Sequence, residues 1–210
     1  MIISIDGPAA SGKGTLARQI ADHYQLRYLD TGTLYRAVAA KFLGSDVPIN
    51  PSTAAEFAEH LDPFQLHVDP GESVLRSVDV SRLVPRIAAF PEVRQALIVK
   101  QRAFAEAGTG AVLDGRDIGT VVCPDADVKF FVTASPEIRA HRRWLELKAS
   151  GSDISEAQVL EDTRERDRHD TERTTSPLRP AEDAHLLDTT NLSIEAAFGE
   201  AVRIIDKSMR

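Results

Sequence analysis

Apolar positions along the chain alternate between short unbroken runs and helical spacing, a pattern that predicts a parallel sheet covered by helices. Ile2–Ile5 is an apolar run cut off by Asp6 and reads as a first strand. Gly14–His23 follows, with Leu16, Ala17, Ile20 and Ala21 on one helical face. Leu26–Leu29 predicts a second strand and Leu34–Phe42 a second helix. Near Gly44 the texture changes, and Pro48, Pro51, Pro63, Pro70 and Pro85 crowd the chain. Gln65–Val68 and Ser73–Val78 flank Asp69-Pro70-Gly71-Glu72 and predict a hairpin with suitable turn chemistry. Residues 45–90 are therefore expected to form an inserted lobe.

Helical spacing returns over Val93–Glu106 and ends at Gly108-Thr109-Gly110. Ala111–Leu113 and Val128–Val132 predict strands. Pro136–Leu147 predicts a helix, with Ser135 at its N-cap and Pro136 at its first position. Ser150-Gly151-Ser152 interrupts the pattern before a long charged helix that runs from Ser155 and Glu156 to about Asp170. Ser176-Pro177-Leu178-Arg179-Pro180 reads as a loop, His185–Leu187 as a last strand, and Ile194–Ile205 as a closing helix capped by Ser193.

Composition narrows the possibilities. At 210 residues the chain is expected to be one globular unit with room for an insertion. A formal net charge of −7 argues against duplex DNA or an anionic membrane as partner. No window approaches the 18 apolar residues of a membrane span, and Met1–Ile5 lacks the basic flank of a signal peptide. The lone Cys123 allows no intrachain disulfide. A cytoplasmic protein is expected, and nothing in the sequence demands more than a monomer.

The cations are unevenly chosen. There are 19 arginines against six lysines. Eight of the arginines fall between residues 139 and 179: Arg139, Arg142, Arg143, Arg164, Arg166, Arg168, Arg173 and Arg179. The planar guanidinium matches phosphate and carboxylate oxygens in pairs, so the cluster reads either as an anion site or as ion pairing on acidic helices.

Gly7-Pro8-Ala9-Ala10-Ser11-Gly12-Lys13-Gly14-Thr15 lies between a predicted strand and a predicted helix, the context of a phosphate-binding loop. Gly7 and Gly12 let backbone amides turn inward toward phosphate oxygens. The helix N-terminus adds partial positive charge, and Lys13 can reach the β- and γ-phosphates. Gly14 stands where the general pattern has Ser or Thr, so Mg²⁺ is expected to ride mainly on the ATP phosphates, with Thr15 as a candidate ligand. An Asn-Lys-x-Asp guanine reader and a Leu-Ser-Gly-Gly-Gln transporter signature are both missing. His23, His60, His67, His141, His169 and His185 are scattered rather than arranged as a base. A phosphate acceptor needs none, because it is already an oxyanion with a second pKa of about 6.

Several further motifs occur in order from residue 2 to residue 194. They are Ile5-Asp6-Gly7-Pro8 with Ser11–Thr15, Tyr28-Leu29-Asp30-Thr31-Gly32 with Tyr35-Arg36, and Phe90-Pro91 with Val93-Arg94. Asp114-Gly115-Arg116-Asp117-Ile118-Gly119-Thr120 follows, then Glu165-Arg166-Asp167 with Asp170 and Arg173, Pro177-Leu178, and Leu187-Asp188-Thr189-Thr190. Together they resemble bacterial cytidylate (CMP) kinases. The resemblance implies an α/β fold of the P-loop NTPase type: three layers around a central parallel sheet, with an inserted NMP-binding lobe at 45–90 and a small lid at about 149–160. Residues 1–44 and 91–210 would form the kinase core.

The same resemblance implies the roles. Gly7, Pro8, Ala9, Ala10, Ser11, Gly12, Lys13, Gly14 and Thr15 would hold the ATP phosphates, with Arg142 and Arg143 approaching from the lid. Arg36, Arg116 and Arg173 would clamp the acceptor phosphate, and Lys13 would bridge donor and acceptor. Arg94 and Asp117 would read cytosine. Asp170, Arg166, Thr31 and Tyr35 would hold the pentose. The implied reaction is phosphoryl transfer from ATP to CMP or dCMP with Mg²⁺; a kinase for UMP, or a nucleotide-dependent binding module, is the alternative. The segment between the expected hairpin and Phe90 is shorter than the family's, and Pro85 falls about where a base-contacting serine would, with Ser81 nearby as a substitute.

Overall fold

The computed structural model describes residues 1–66, 72–75 and 77–209. Strand β1 (Ile2–Asp6) buries four of its five residues and leads into the Gly-rich loop. Helix α1 (Lys13–His23) buries Leu16, Ala17, Ile20 and Ala21, the face that the spacing predicts. Strand β2 (Arg27–Asp30) and helix α2 (Thr31–Ala40) follow. Helix α3 (Pro51–Glu59) starts at Asn50, whose side chain accepts from the Thr53 amide while Pro51 takes the first turn. Helices α4 (Glu72–Leu75), α5 (Val78–Ala88) and α6 (Pro91–Glu106) lead to β3 (Ala111–Gly115), in which every residue is buried. A single π-helical turn, Ile118–Val122, precedes β4 (Val128–Thr133) and α7 (Pro136–Ala149). Helix α8 (Glu156–Glu172), β5 (His185–Asp188) and α9 (Ile194–Ser208) complete the chain. Ser135, Ser155 and Ser193 cap α7, α8 and α9 through their hydroxyls.

The strands form one five-stranded sheet in the order β2-β3-β1-β4-β5. β4 runs parallel to both neighbours, with Ile5 opposite Phe130 and Val132 opposite Leu187. This is the α/β architecture that the alternation predicts.

Two compact units divide the chain: Met1–Tyr28 with Val112–Arg210, and Leu29–Ala111. In the first, Ile3, Ile5, Phe130 and Val132 of the sheet pack with Leu16 and Ile20 of α1 and with Ala201 and Ile205 of α9. Burying each of the larger of these side chains, the Ile, Leu, Val and Phe, contributes roughly 2 kcal/mol. In the second, α3 packs on α6 and α2 on α5, with Phe42 and Phe57 rings 5.0 Å apart.

The expected hairpin is corrected. Its turn, Asp69-Pro70-Gly71, lies outside the described residues, but the strand expected over Ser73–Val78 is instead α4 and the beginning of α5. Ser77 caps α5 by accepting from the Val80 amide at 3.3 Å. Val80, Val84 and Ile87 then recur at helical spacing, with Val80 and Ile87 fully buried. That period outweighs the local turn chemistry. No described helix is long and apolar enough to cross a membrane.

Candidate active site

The Gly-rich loop runs hard against β4. A Cβ on Gly7, whose φ is 152°, would stand 2.0 Å from the Val132 carbonyl oxygen, so only glycine fits. Gly12 is the N-cap of α1, and Lys13 Nζ donates back to the Pro8 carbonyl at 3.5 Å. The first-turn amides of any helix have no partner within the helix, and a helix that starts directly from a Gly-rich loop has the geometry of an anion cradle. A cavity of about 390 Å³ follows the loop and α1 to Arg142, Thr189 and Ile194.

Arg142 reaches this cavity from α7. Its Nη1 donates to the Thr189 hydroxyl at 3.2 Å and its Nη2 to the Thr189 carbonyl at 2.9 Å. Arg143, one residue on, pairs at 3.0 Å with Glu146, which itself lines the cavity. Arg164 also makes a helix-to-helix ion pair, with Glu137, and Arg139 grips Asp167.

At the end of β3 the chain assembles a second charged group. Arg116 Nε donates to Asp170 Oδ2 at 2.7 Å. Burial would raise the Asp170 carboxyl, but Arg116 beside it, with Arg166 and Arg173 nearby, holds it below the usual carboxylate range. Arg173 Nη2 lies 4.0 Å from Asp117 Oδ1, and its Nε donates to the Ser176 carbonyl. Arg116, Asp117, Asp170 and Arg173, four residues that the sequence places 57 positions apart at most, are therefore neighbours.

In the second unit, Arg36 Nη2 donates to Asp30 Oδ2 at 2.6 Å and to the Thr33 hydroxyl at 2.7 Å. Arg94 is buried on α6 with its guanidinium carbon 5.8 Å from the centre of the Tyr35 ring. Thr31, also buried, opens α2.

A cytidylate kinase family model matches residues 3–207. The chain belongs to the cytidylate kinase family. The cytidylate kinase of Cereibacter sphaeroides (strain KD131) is 55% identical over 204 residues, covering 97% of this chain and 94% of that protein. The cytidylate kinase of Brucella ovis is 52% identical over 209 residues, covering 99% and 94%. Among solved structures, an uncharacterized protein from Eubacterium ventriosum superposes with a TM-score of 0.58 at 13% identity, covering 98% of each chain, a likeness of fold alone.

Three residues of this cytidylate kinase family member escape a reading of the sequence. Asp6 is buried at the end of β1 and accepts from the amides of Ile118 and Gly119, both at 2.8 Å. It holds the segment that carries Arg116 and Asp117 to the strand that carries the phosphate loop. Burial pushes its carboxyl up to about 6, against the lowering effect of those two amides. Arg139, also buried, donates to the carbonyls of Ala134 and Ala9 as well as to Asp167. The third is Asp114, near the end of β3 and buried, whose Oδ2 lies 3.1 Å from where a Cβ on Gly14 would stand. Its signal was available: an acidic residue directly after an apolar strand is where phosphate-loop proteins hold magnesium.

Magnesium fits what is there. Asp114, which approaches Gly14, and Thr15, which lines the cavity beside the loop, carry hard oxygen donors of the kind that Mg²⁺ prefers. Among the described residues no three His, Cys, Asp or Glu side chains gather into a protein-only metal cage. A cation here would take most of its ligands from phosphates and water.

Proposed function

We propose that the chain transfers the γ-phosphoryl group of ATP to CMP or dCMP, giving ADP and CDP or dCDP. The observation that carries this reading is the set Arg116–Asp170 and Arg173–Asp117 at the end of β3, the strand beside the one that bears the phosphate loop. Phosphoryl transfer needs charge neutralisation and in-line placement more than covalent chemistry. Gly7–Thr15 bind the donor phosphates, aided by Arg142 and, once released from Glu146, by Arg143. Lys13 spans donor and acceptor. Arg36, Arg116 and Arg173 hold the acceptor phosphate, which attacks as an oxyanion without a protein base.

Asp117 accepts the exocyclic amine of cytosine, and Arg94 donates to the ring acceptors. Uracil would turn a carbonyl toward Asp117 and lose that bond. Asp170, Arg166, Thr31 and Tyr35 engage the pentose. Thr15 and Asp114 would hold Mg²⁺, which would supply charge neutralisation for the donor phosphates. The lobe of residues 45–90 carries the acceptor, and the 149–160 segment closes over the donor and keeps out water. The protein works as a cytoplasmic monomer.

One assay tests the reading: ADP release from ATP with CMP, dCMP, UMP, AMP and GMP, against ATP alone. CMP and dCMP are expected to be the fast acceptors. Turnover equal with and without CMP would leave a nucleotide-hydrolysing binding module, and a UMP rate matching CMP would remove the assignment of Asp117.

A further inference from the structure

The motif Leu187-Asp188-Thr189-Thr190 has no role in the reaction outlined above, yet it sits at a junction. Thr189 is buried where β5 gives way to the loop before α9. Its amide donates to the Thr133 carbonyl at the end of β4, at 2.8 Å. Its hydroxyl lies 2.9 Å from the Ser11 carbonyl of the phosphate loop and 3.1 Å from the Thr133 carbonyl, and it accepts from Arg142 at 3.2 Å. One hydroxyl therefore meets the phosphate loop, the sheet and the arginine of α7. Its single proton goes to a carbonyl, which leaves a lone pair for the guanidinium.

The residues on either side reinforce the junction. Asp188 Oδ1 accepts from the amide and the hydroxyl of Thr190, and the Thr190 hydroxyl in turn accepts from the Ser135 amide at 3.0 Å. Ser135 is the N-cap of α7, the helix that bears Arg142. The start of α7 and its Arg142 side chain are thus both tied to consecutive residues of one turn. Arg142 Nη1 is left 3.8 Å from where a Cβ on Gly12 would stand, at the mouth of the phosphate cradle.

We propose that Thr189 is a donor-side positioning residue, whose hydroxyl sets the Ser11 carbonyl and the Arg142 guanidinium for the ATP phosphates. The proposal rests on the reading of Arg142 as a ligand of those phosphates. It requires the hydroxyl and not merely the shape of the side chain. Valine has the shape without the hydroxyl, and serine has the hydroxyl without the methyl group.

The test is steady-state kinetics of Thr189→Val, Thr189→Ser, Arg142→Ala and the Thr189→Val/Arg142→Ala double variant, with KM measured separately for ATP and CMP. Thermal unfolding of each variant checks that it is folded at the assay temperature. Thr189→Val is expected to raise KM for ATP about tenfold, the effect of one hydrogen bond to a charged group, while KM for CMP stays within about twofold. Thr189→Ser is expected to recover most of the loss. The double variant is expected to be little worse than Arg142→Ala alone, since the two act as a unit. An unchanged KM for ATP in Thr189→Val, an equal rise in both KM values, no recovery by serine, or fully additive effects would overturn the proposal. If Arg142→Ala raises KM for ATP while Thr189→Val does not, only the positioning role fails. If Arg142→Ala leaves KM for ATP unchanged, the donor-side reading of Arg142 fails and the proposal goes with it.

Discussion

Arg139 and Asp167 form a two-point ion pair across α7 and α8, with Nη1 donating to Oδ1 at 2.9 Å and Nη2 donating to Oδ2. Arg139 is only 3% exposed, and the same guanidinium also donates to Ala9 at the tip of the phosphate loop. The pair therefore braces the loop against the helix that carries Arg166 and Asp170.

Removing one partner of such a pair strands the other charge away from water. Asp167→Ala is expected to lower stability by about 3 kcal/mol, read from urea unfolding. Arg139→Lys keeps the charge but loses the fork, and is expected to lose stability as well. A loss under about 0.5 kcal/mol in Asp167→Ala would mean that the pair is no more than a surface contact.

Asp6 makes stability depend on pH. Its carboxyl is raised by burial from 3.8 to about 6 in the fold. A group raised in this way favours the folded state while it is protonated. The contribution is complete below about pH 4 and is lost as pH rises through 6, over a span of about 3 kcal/mol. Asp6→Asn cannot titrate. The stability of the unmutated chain relative to Asp6→Asn should therefore rise as pH is lowered from 7 to 4, with the other carboxylates common to both. A difference that does not move with pH would show that Asp6 is ionised throughout.

Asp117→Ala is expected to reduce the preference for CMP over UMP by tenfold or more, the usual worth of a base-edge contact being about 1–3 kcal/mol. KM for ATP should stay close to its starting value. Unaltered selectivity, measured as the ratio of kcat/KM for the two acceptors, would confine Asp117 to its contact with Arg173.

Arg116→Ala is expected to lower kcat by about 10²–10³, the range for a lost donor to developing transition-state charge. Asp170 would then lose its nearest cation, and its carboxyl would move back toward the ordinary value. A kcat within threefold of the starting value would take Arg116 out of the phosphate clamp.

Asp114→Asn is expected to raise the Mg²⁺ concentration needed for half-maximal rate by about tenfold or more at fixed ATP. An unchanged Mg²⁺ dependence would leave Thr15 as the only protein ligand.

What could be read from the sequence was what adjacent residues decide. The turn from β1 through Gly7 and Gly12 into α1 is local, and so are the serine caps of α7, α8 and α9; each was legible because its partners lie within a few residues. The 73–78 segment misled because its neighbouring turn residues favour a hairpin, whereas burial of Val80 and Ile87 favours a helix. Asp114 carries its own signal at the end of an apolar run, whereas Asp6 and Arg139 were illegible for another reason. Their partners lie far along the chain, Ile118 being 112 residues from Asp6, so only the folded sheet brings their chemistry together. The ion pair Arg164–Glu137, between two helices of the arginine-rich stretch, shows that local charge density alone does not separate structural arginines from the rest.

Each arginine assigned to the acceptor phosphate already has a carboxylate beside it: Arg36 has Asp30, Arg116 has Asp170 and Arg173 has Asp117. The resting protein thus holds internal salts rather than bare cations. A free sulfate ion could take the arginines only by setting the carboxylates loose, with nothing offered in return, and a free phosphate ion has only its own P–OH to offer. A nucleotide brings its own donors, a base amine and sugar hydroxyls, to the carboxylates that its phosphate displaces. On the proposed reading the nucleotide would compensate Asp117 and Asp170, which its phosphate alone would not, and that would let an acidic protein keep a site for a dianion in a phosphate-rich cell without being filled by phosphate.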